Sequence, residues 1–343
     1  MSETLADVGE FGLIHRIRRL LEMRGAVGTG LIFGAGDDTA AMTPRAGHDI
    51  LVTCDAMVEG RHFLGSLMSA REIGRRAMAV NISDIAAMGG APRWALVSLG
   101  LDRDVPVRRI LEHYKGMLDE LNPLNAIVAG GNVTRSGNGM FIDITLIGEV
   151  ERGRMIKRSG ADPGDAILVT GWPGQATAGL ELFLGDTDAN EGMALPLIQA
   201  YKTPCHRVRE GQALASTGLV NAMIDISDGF LGDLAHICEE SRTGAEVMED
   251  ALPVSESLAW FAERVGRSPQ DLVIRESDDY ELMFTCAPMH VETLKSAVAR
   301  VSEVPVTHVG WITDEPGGFY RIGADGARNE LVLKGWDHFG ERG

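Results

Sequence analysis

The sequence predicts an α/β protein of two domains, and three observations carry that expectation. At 343 residues the chain exceeds what one ordinary core accommodates. Strand-like apolar runs alternate with helix-like stripes along both halves. Aspartates stand at strand-to-helix switches in each half, in "VTCD" and in "MIDISDGF". That hints at a duplicated plan without amounting to a repeat.

The first expected element is an amphipathic helix, with Phe11, Ile14, Ile17 and Leu21 at helical spacing and Gly25 available to end it. A glycine-rich stretch with Asp37 and Asp38 follows, then "DILVTCD" (49–55), a strand ending at Asp55. Ser69 and Glu72 have capping-box spacing and open a helix running to Gly89-Gly90. "RWALVSLGL" (93–101) reads as a strand. Val107, Ile110, Leu111, Tyr114, Leu118 and Leu121 stripe a helix with Pro106 at its start. Strands at 126–132 and 140–150 close the first half, and the boundary is placed at residue 150. After a turn at 159–165, the second half (151–343) repeats the rhythm. Strands are expected at "AILVTG", "NAMIDIS", 280–286 and 305–311, and helices at 207–216, 229–241, 255–265 and from Met289.

Composition narrows the function. Hydrophobic residues make up 45% and charged residues 24%, as in an ordinary soluble domain. A net charge of −17 argues against nucleic acid as a partner. No apolar run reaches the roughly 18 residues of a membrane span. The acidic N-terminus carries no signal core, and the four cysteines form no C-x-x-C pair, so a reduced cytoplasm is expected.

Some carboxylates do not read as solvated surface. Asp84 lies mid-helix among Ala77, Val80, Asn81, Ala87 and Met88, with no Lys or Arg on that face. A buried unpaired carboxylate is costly, so a cation is favoured there over an ion pair with the distant Arg75 or Arg76. Asp55 and Asp225 stand at strand ends, and Asp228 follows closely. Taken singly, Ser227 or Asp228 could be a helix N-cap. As a set with Asp38, these hard oxygen donors point to Mg²⁺. Mg²⁺ would then bridge the aspartates to a phosphate. The glycine stretches "AGGNVTRSG" (129–137) and "GWPGQATAG" (171–179) are candidates for direct phosphate contact, although neither is a P-loop. A Mg²⁺-dependent enzyme acting on a phosphate ester or nucleotide follows.

The ordered motifs "GEFGLI", "GAGDDTA", "VTCDAMVEGRHF", "AVNISDIAAMG", "AGGN", "KRSGADPGD", "IDISDGFLGDL", "DDYEL" and "KGWDHF" span residues 9–339. Together they resemble the thiamine-monophosphate kinase family, within the aminoimidazole ribonucleotide synthetase-like superfamily. The resemblance implies an N-terminal α/β domain, binding ATP and Mg²⁺, whose sheet pairs across a homodimer, and a C-terminal α+β domain. It implies ATP-dependent conversion of thiamine monophosphate to thiamine diphosphate with several Mg²⁺ ions. By position it assigns Asp38, Thr53, Cys54, Asp55, Asp84, Asn132, Asp225 and Asp228 to metal, with Thr53 and Cys54 acting through backbone oxygens. Tyr114, Gly131, Asn132, Arg158 and Ser227 fall on ATP contacts, and His62, Asp278 and Trp336 on the thiamine phosphate site. Three departures stand out. Asn132 replaces the aspartate of a G-G-D pattern, and Cys54 stands where Thr is common. Ser277-Asp278 replaces Gly-Glu before "DYEL". The alternatives are another ATP-using member of the superfamily or a non-catalytic nucleotide-binding regulator.

Overall fold

Two units divide the chain, residues 1–85 with 90–153 and residues 86–89 with 154–343, each built round its own sheet. The computed structural model describes residues 3–22, 29–36, 38–137, 139–185 and 192–331. Gly25, Asp37 and Trp336 lie outside the described residues.

In the first unit, α1 (Leu5–Glu22) precedes a short ribbon of β1 (Leu31–Phe33) and β2 (Ala41–Met42). Then come β3 (His48–Val58), α2 (Ala70–Ala87), β4 (Ala91–Leu101), α3 (Val107–Leu121), β5 (Ile127–Arg135) and β6 (Phe141–Glu151). The sheet order is β3-β6-β4-β5. Only β4 and β5 run parallel, with α3 as their crossover; β6 is antiparallel to both its neighbours.

Local chemistry sets these elements. Glu72 accepts the Ser69 N–H at 2.7 Å while Ser69 Oγ accepts the Glu72 N–H at 3.2 Å, the reciprocal pair that starts α2. Helices α2 and α3 then close on each other through glycines. A Cβ on Gly74 would stand 2.0 Å from the His113 carbonyl oxygen, and one on Gly116 would stand 2.1 Å from that of Arg71. No other residue fits at that distance.

Two expectations here need correction. Leu13 and Ile17, not Phe11, form the buried stripe of α1, and Phe11 is 82% exposed. Two residues of a helix lie about 200° apart, so Phe11 and Leu13 cannot share a face. Asp55 does not end its strand, because the ladder to β6 continues unbroken to Val58–Phe141.

The second unit contains β7 (Ala166–Thr170), α4 (Gln175–Leu184), α5 (Ala194–Lys202), α6 (Val208–Thr217) and β8 (Ala222–Asp225). It continues with α7 (Phe230–Ser241), β9 (Gly244–Met248), α8 (Glu256–Val265), α9 (Pro269–Ile274) and β10 (Leu282–Cys286). Helix α10 (Val291–Ala299) and strands β11 (Val306–Thr313), β12 (Phe319–Ile322) and β13 (Arg328–Glu330) follow. The sheet order is β13-β12-β9-β11-β7-β10-β8, antiparallel except for β12 beside β9. Strand β7 shows how it is buried. Ile167 and Val169 join a core with Phe230 and Leu234, while Ala166 and Leu168 join another with Leu214 and Leu294. Alternate side chains thus serve the two faces of one sheet. In the stretch 171–179, α4 begins at Gln175, so only residues 171–174 form a turn.

The α2–α3 approach can be tested directly. Gly116→Ala should destabilise the protein by about 1–3 kcal/mol, the usual cost of overpacking, read from urea unfolding. An unchanged midpoint would show that the helices can part freely.

Candidate functional site

Strand β3 and helix α2 assemble the first group of oxygens. Thr53 and Asp55, two residues apart, face α2, where Asn81 and Asp84 are one turn apart. The Thr53 hydroxyl donates to Asp84 Oδ2. The Asp55 N–H donates to Asn81 Oδ1 at 3.2 Å, and the Asn81 amide donates to the Ala77 carbonyl at 3.0 Å. Asn81 is buried and Asp84 half-buried. Cys54, between the two strand residues, projects to the other face of the sheet. Its thiol donates to Asp143 Oδ1 at 3.2 Å and accepts from the Thr145 hydroxyl at 3.5 Å.

Cross-strand register places Asn132 opposite Ser98, and Ser98 opposite Asp143. Asn132 therefore shares the Cys54–Asp143 face rather than the Thr53–Asp84 face. Gly131 precedes it on β5, and both are exposed. Asp38 lies exposed between β1 and β2. Tyr114 is only 3% exposed within α3, and burial raises its hydroxyl pKa. His62 Nδ1 accepts the Val58 N–H at 3.0 Å, which fixes the turn after β3.

The second unit builds another acidic group. Asp225 ends β8 and is 2% exposed. Ser227, Asp228 and Gly229 turn the chain into α7, and their N–H groups all donate to Asp233 Oδ2, at 2.9, 3.0 and 3.1 Å. Gly229 is required there, because a Cβ would stand 2.6 Å from the Arg275 carbonyl oxygen. Burial, then the charges of Asp225 and Asp228, push the Asp233 pKa up to about 8. His236 Nε2 lies 3.9 Å from Asp228 Oδ2. Asp228, Asp233 and His236 offer ligand atoms all within 4.8 Å of one another.

The segment carrying Asp278 joins this turn. The Tyr280 N–H donates to the Ile226 carbonyl at 2.8 Å, and the Ile226 N–H donates to the Glu281 carbonyl at 2.8 Å. Arg158 is exposed in the strand-free stretch before β7, where the Lys157 carbonyl accepts the Met223 N–H at 2.9 Å. The structure thus brings together Thr53, Asp55 and Asp84, and separately Asp225, Ser227, Asp228 and the Asp278 segment. Asp233 and Asn81 were missed by the sequence reading. Asp233 had a legible signal, an acidic residue in the first turn of the helix after "SDG".

Comparison with known proteins follows from this geometry. Residues 36–150 match the family model "AIR synthase related protein, N-terminal domain", and residues 162–323 match "AIR synthase related protein, C-terminal domain". Fold and sites define an AIR synthase-related protein. Within that class, the thiamine-monophosphate kinase of Escherichia coli is 36% identical over 338 residues, covering 96% of this chain and 98% of the relative. A crystal structure of thiamine-monophosphate kinase from Stenotrophomonas maltophilia superposes with a TM-score of 0.81 at 32% identity, covering 93% of this chain and 97% of that one. A structure described as AaThiL complexed with AMPPCP and TMP gives a TM-score of 0.76 at 32% identity over 99% of this chain and 100% of its own. The chain belongs to the thiamine-monophosphate kinase family.

The raised pKa of Asp233 sets a pH dependence. The folded state holds a proton up to about 8, whereas an ordinary aspartate releases it near 3.8. That contribution to stability is complete below the lower value and lost as pH rises through the higher one. In EDTA, the melting temperature of wild type minus that of Asp233→Asn should therefore fall as pH is raised across this window. A constant difference would mean that Asp233 titrates normally.

Proposed function

We propose that the chain transfers the γ-phosphoryl group of ATP to the phosphate of thiamine monophosphate, yielding thiamine diphosphate and ADP. The observation that carries this is kinship along nearly the whole chain with thiamine-monophosphate kinases. Likeness to a relative holding AMPPCP and TMP supports the same pair of substrates. Incubation with ATP, Mg²⁺ and thiamine monophosphate should produce thiamine diphosphate and ADP together, resolved by chromatography. ADP without thiamine diphosphate, or neither, would overturn the reading in favour of another superfamily reaction or a nucleotide-binding regulator.

The acceptor explains the acidic, base-poor site. A phosphate monoester oxygen is already anionic near neutral pH, so no general base is needed to make the nucleophile. The difficulty is bringing anions together. Two unit charges about 4 Å apart repel by about 4 kcal/mol at an effective dielectric near 20. Positioning and charge neutralisation carry the rate.

The donor set fits a hard divalent cation, since clustered carboxylates and a hydroxyl dominate it. Asp38, Asp55, Asp84, Asp225 and Asp228 would hold several Mg²⁺ ions, with the Thr53 and Cys54 backbone oxygens and the Asn132 amide oxygen. Mg²⁺, when bound, screens the repulsion between the two phosphates. Tyr114, Gly131, Asn132, Arg158 and Ser227 would contact ATP, with Arg158 adding positive charge toward the nucleotide phosphates. His62, Asp278 and Trp336 are assigned to thiamine monophosphate. The first unit is the ATP- and Mg²⁺-binding domain in this proposal.

A homodimer formed through the first sheet belongs to the same proposal. Edge strand β3 exposes Ile50, Val52 and Val58 at 43%, 65% and 39%, an apolar row suited to a second copy. A cytoplasmic setting is supported by four unbridged cysteines. Among the described residues, no helix is long and apolar enough to cross a membrane.

Asp84→Asn should lower turnover about 100-fold, the upper end for residues supporting a metal, with the fold intact by circular dichroism. Near-normal turnover at saturating Mg²⁺ would remove Asp84 from the metal set. Asn132→Asp should need less Mg²⁺ for half-maximal activity than wild type, and Asn132→Ala should need more. Superimposed Mg²⁺ titrations would show that a residue on the Cys54–Asp143 face does not reach the cation.

A further inference from the structure

Helix α4 has ten residues, and its N-cap is Gly174, which has no side chain to satisfy the first amides. The cap comes from a distant loop. Asp279 accepts the Gly174 N–H at 2.5 Å with one oxygen and the Ala176 N–H at 2.7 Å with the other. Ser277 Oγ accepts the next amide, that of Thr177, at 3.1 Å. Glu281 then takes a forked pair of hydrogen bonds from Arg207 and one from the Thr170 hydroxyl at 2.7 Å.

These three anchors alternate along the chain. Ser277, Asp279 and Glu281 are 5%, 8% and 5% exposed, whereas Asp278 between them is only half-buried. The segment therefore fastens one edge to α4 and Arg207 and leaves Asp278 on the other. Its backbone is strained at Tyr280, a non-glycine residue at φ 56. Such outliers persist only where surrounding bonds over-determine them, and here the Ile226 amide and carbonyl do so.

We propose that Asp279 is a positioning residue for substrate: by capping α4 it fixes the loop that presents Asp278. The proposal rests on the reading of Asp278 as a contact to thiamine monophosphate. Asp279→Asn keeps one acceptor oxygen and loses the other, so the helix stays capped at a single amide. Its effect should appear in the KM for thiamine monophosphate and not in that for ATP.

Steady-state kinetics of the full chain provide the test, with Asp278→Ala as reference. Asp279→Asn should raise the KM for thiamine monophosphate roughly tenfold, the worth of one charge-assisted hydrogen bond, and leave the KM for ATP within about twofold. Ser277→Ala should shift the same constant by less. Hydrogen exchange at the Gly174 and Ala176 amides should quicken in Asp279→Asn. If Asp278→Ala raises that KM and Asp279→Asn does not, the positioning role is overturned while the Asp278 reading stands. If Asp278→Ala leaves it unchanged, that reading fails and the proposal falls with it. Equal rises for both substrates, or a lower kcat alone, would mark Asp279 as merely structural.

Discussion

Carboxylates gathered closely enough to hold a cation repel one another, and neutral donors around Asp84 and Asp233 hold those two in place against that repulsion. In the second unit burial adds to that repulsion. Asp233 is buried beside Asp225 and Asp228, and its pKa is pushed up to about 8 although three amides donate to it. In the first unit Asp84 is held by the Thr53 hydroxyl rather than by a cationic side chain. At Asp84 a neutral donor fixes the carboxylate without cancelling its charge, so the charge stays available to a cation. An Arg or Lys in the same place would have spent it.

The same logic explains the glycine-rich turns. Successive backbone amides at a turn or a helix start form anion receptors, and phosphate is their familiar occupant. Here two such receptors are filled by the protein itself. The Ser227–Gly229 amides close on Asp233, and the amides at the start of α4 close on Asp279. At Gly229, glycine is needed for the close approach of the chain to Arg275.

Elements governed by local rules were legible in the sequence. The capping box of α2, the Pro106 start of α3 and the strand-to-helix switch at Asp225 need only neighbours within a few residues. Elements set by distant partners were not. The extension of β3 past Asp55 depends on β6, almost ninety positions on by the register Asp55–Ile144. Helix α4 follows four glycine-rich residues and is capped from residue 279, so its start carries no local signal. Strand β9 and the short β12 and β13 likewise owe their form to the sheet they join. Family resemblance supplied the site roles of His62 and Trp336, which no local pattern would have singled out.

Strand alternation limits what β3 can offer to a ligand. Thr53 and Asp55 turn their side chains to α2, and Cys54 turns its own to Asp143. Only the backbone of a single strand can serve both faces, which is why a role for Thr53 and Cys54 through carbonyl oxygens is physically coherent where a thiol ligand is not. Asn132 belongs to the Cys54 face by register, so on that face the fixed negative charge is carried by Asp143 rather than by residue 132. Asn132 and Asp143 stand on either side of Ser98 in the register, about two strand spacings apart, so residue 132 adds a neutral oxygen to a face whose charge comes from residue 143.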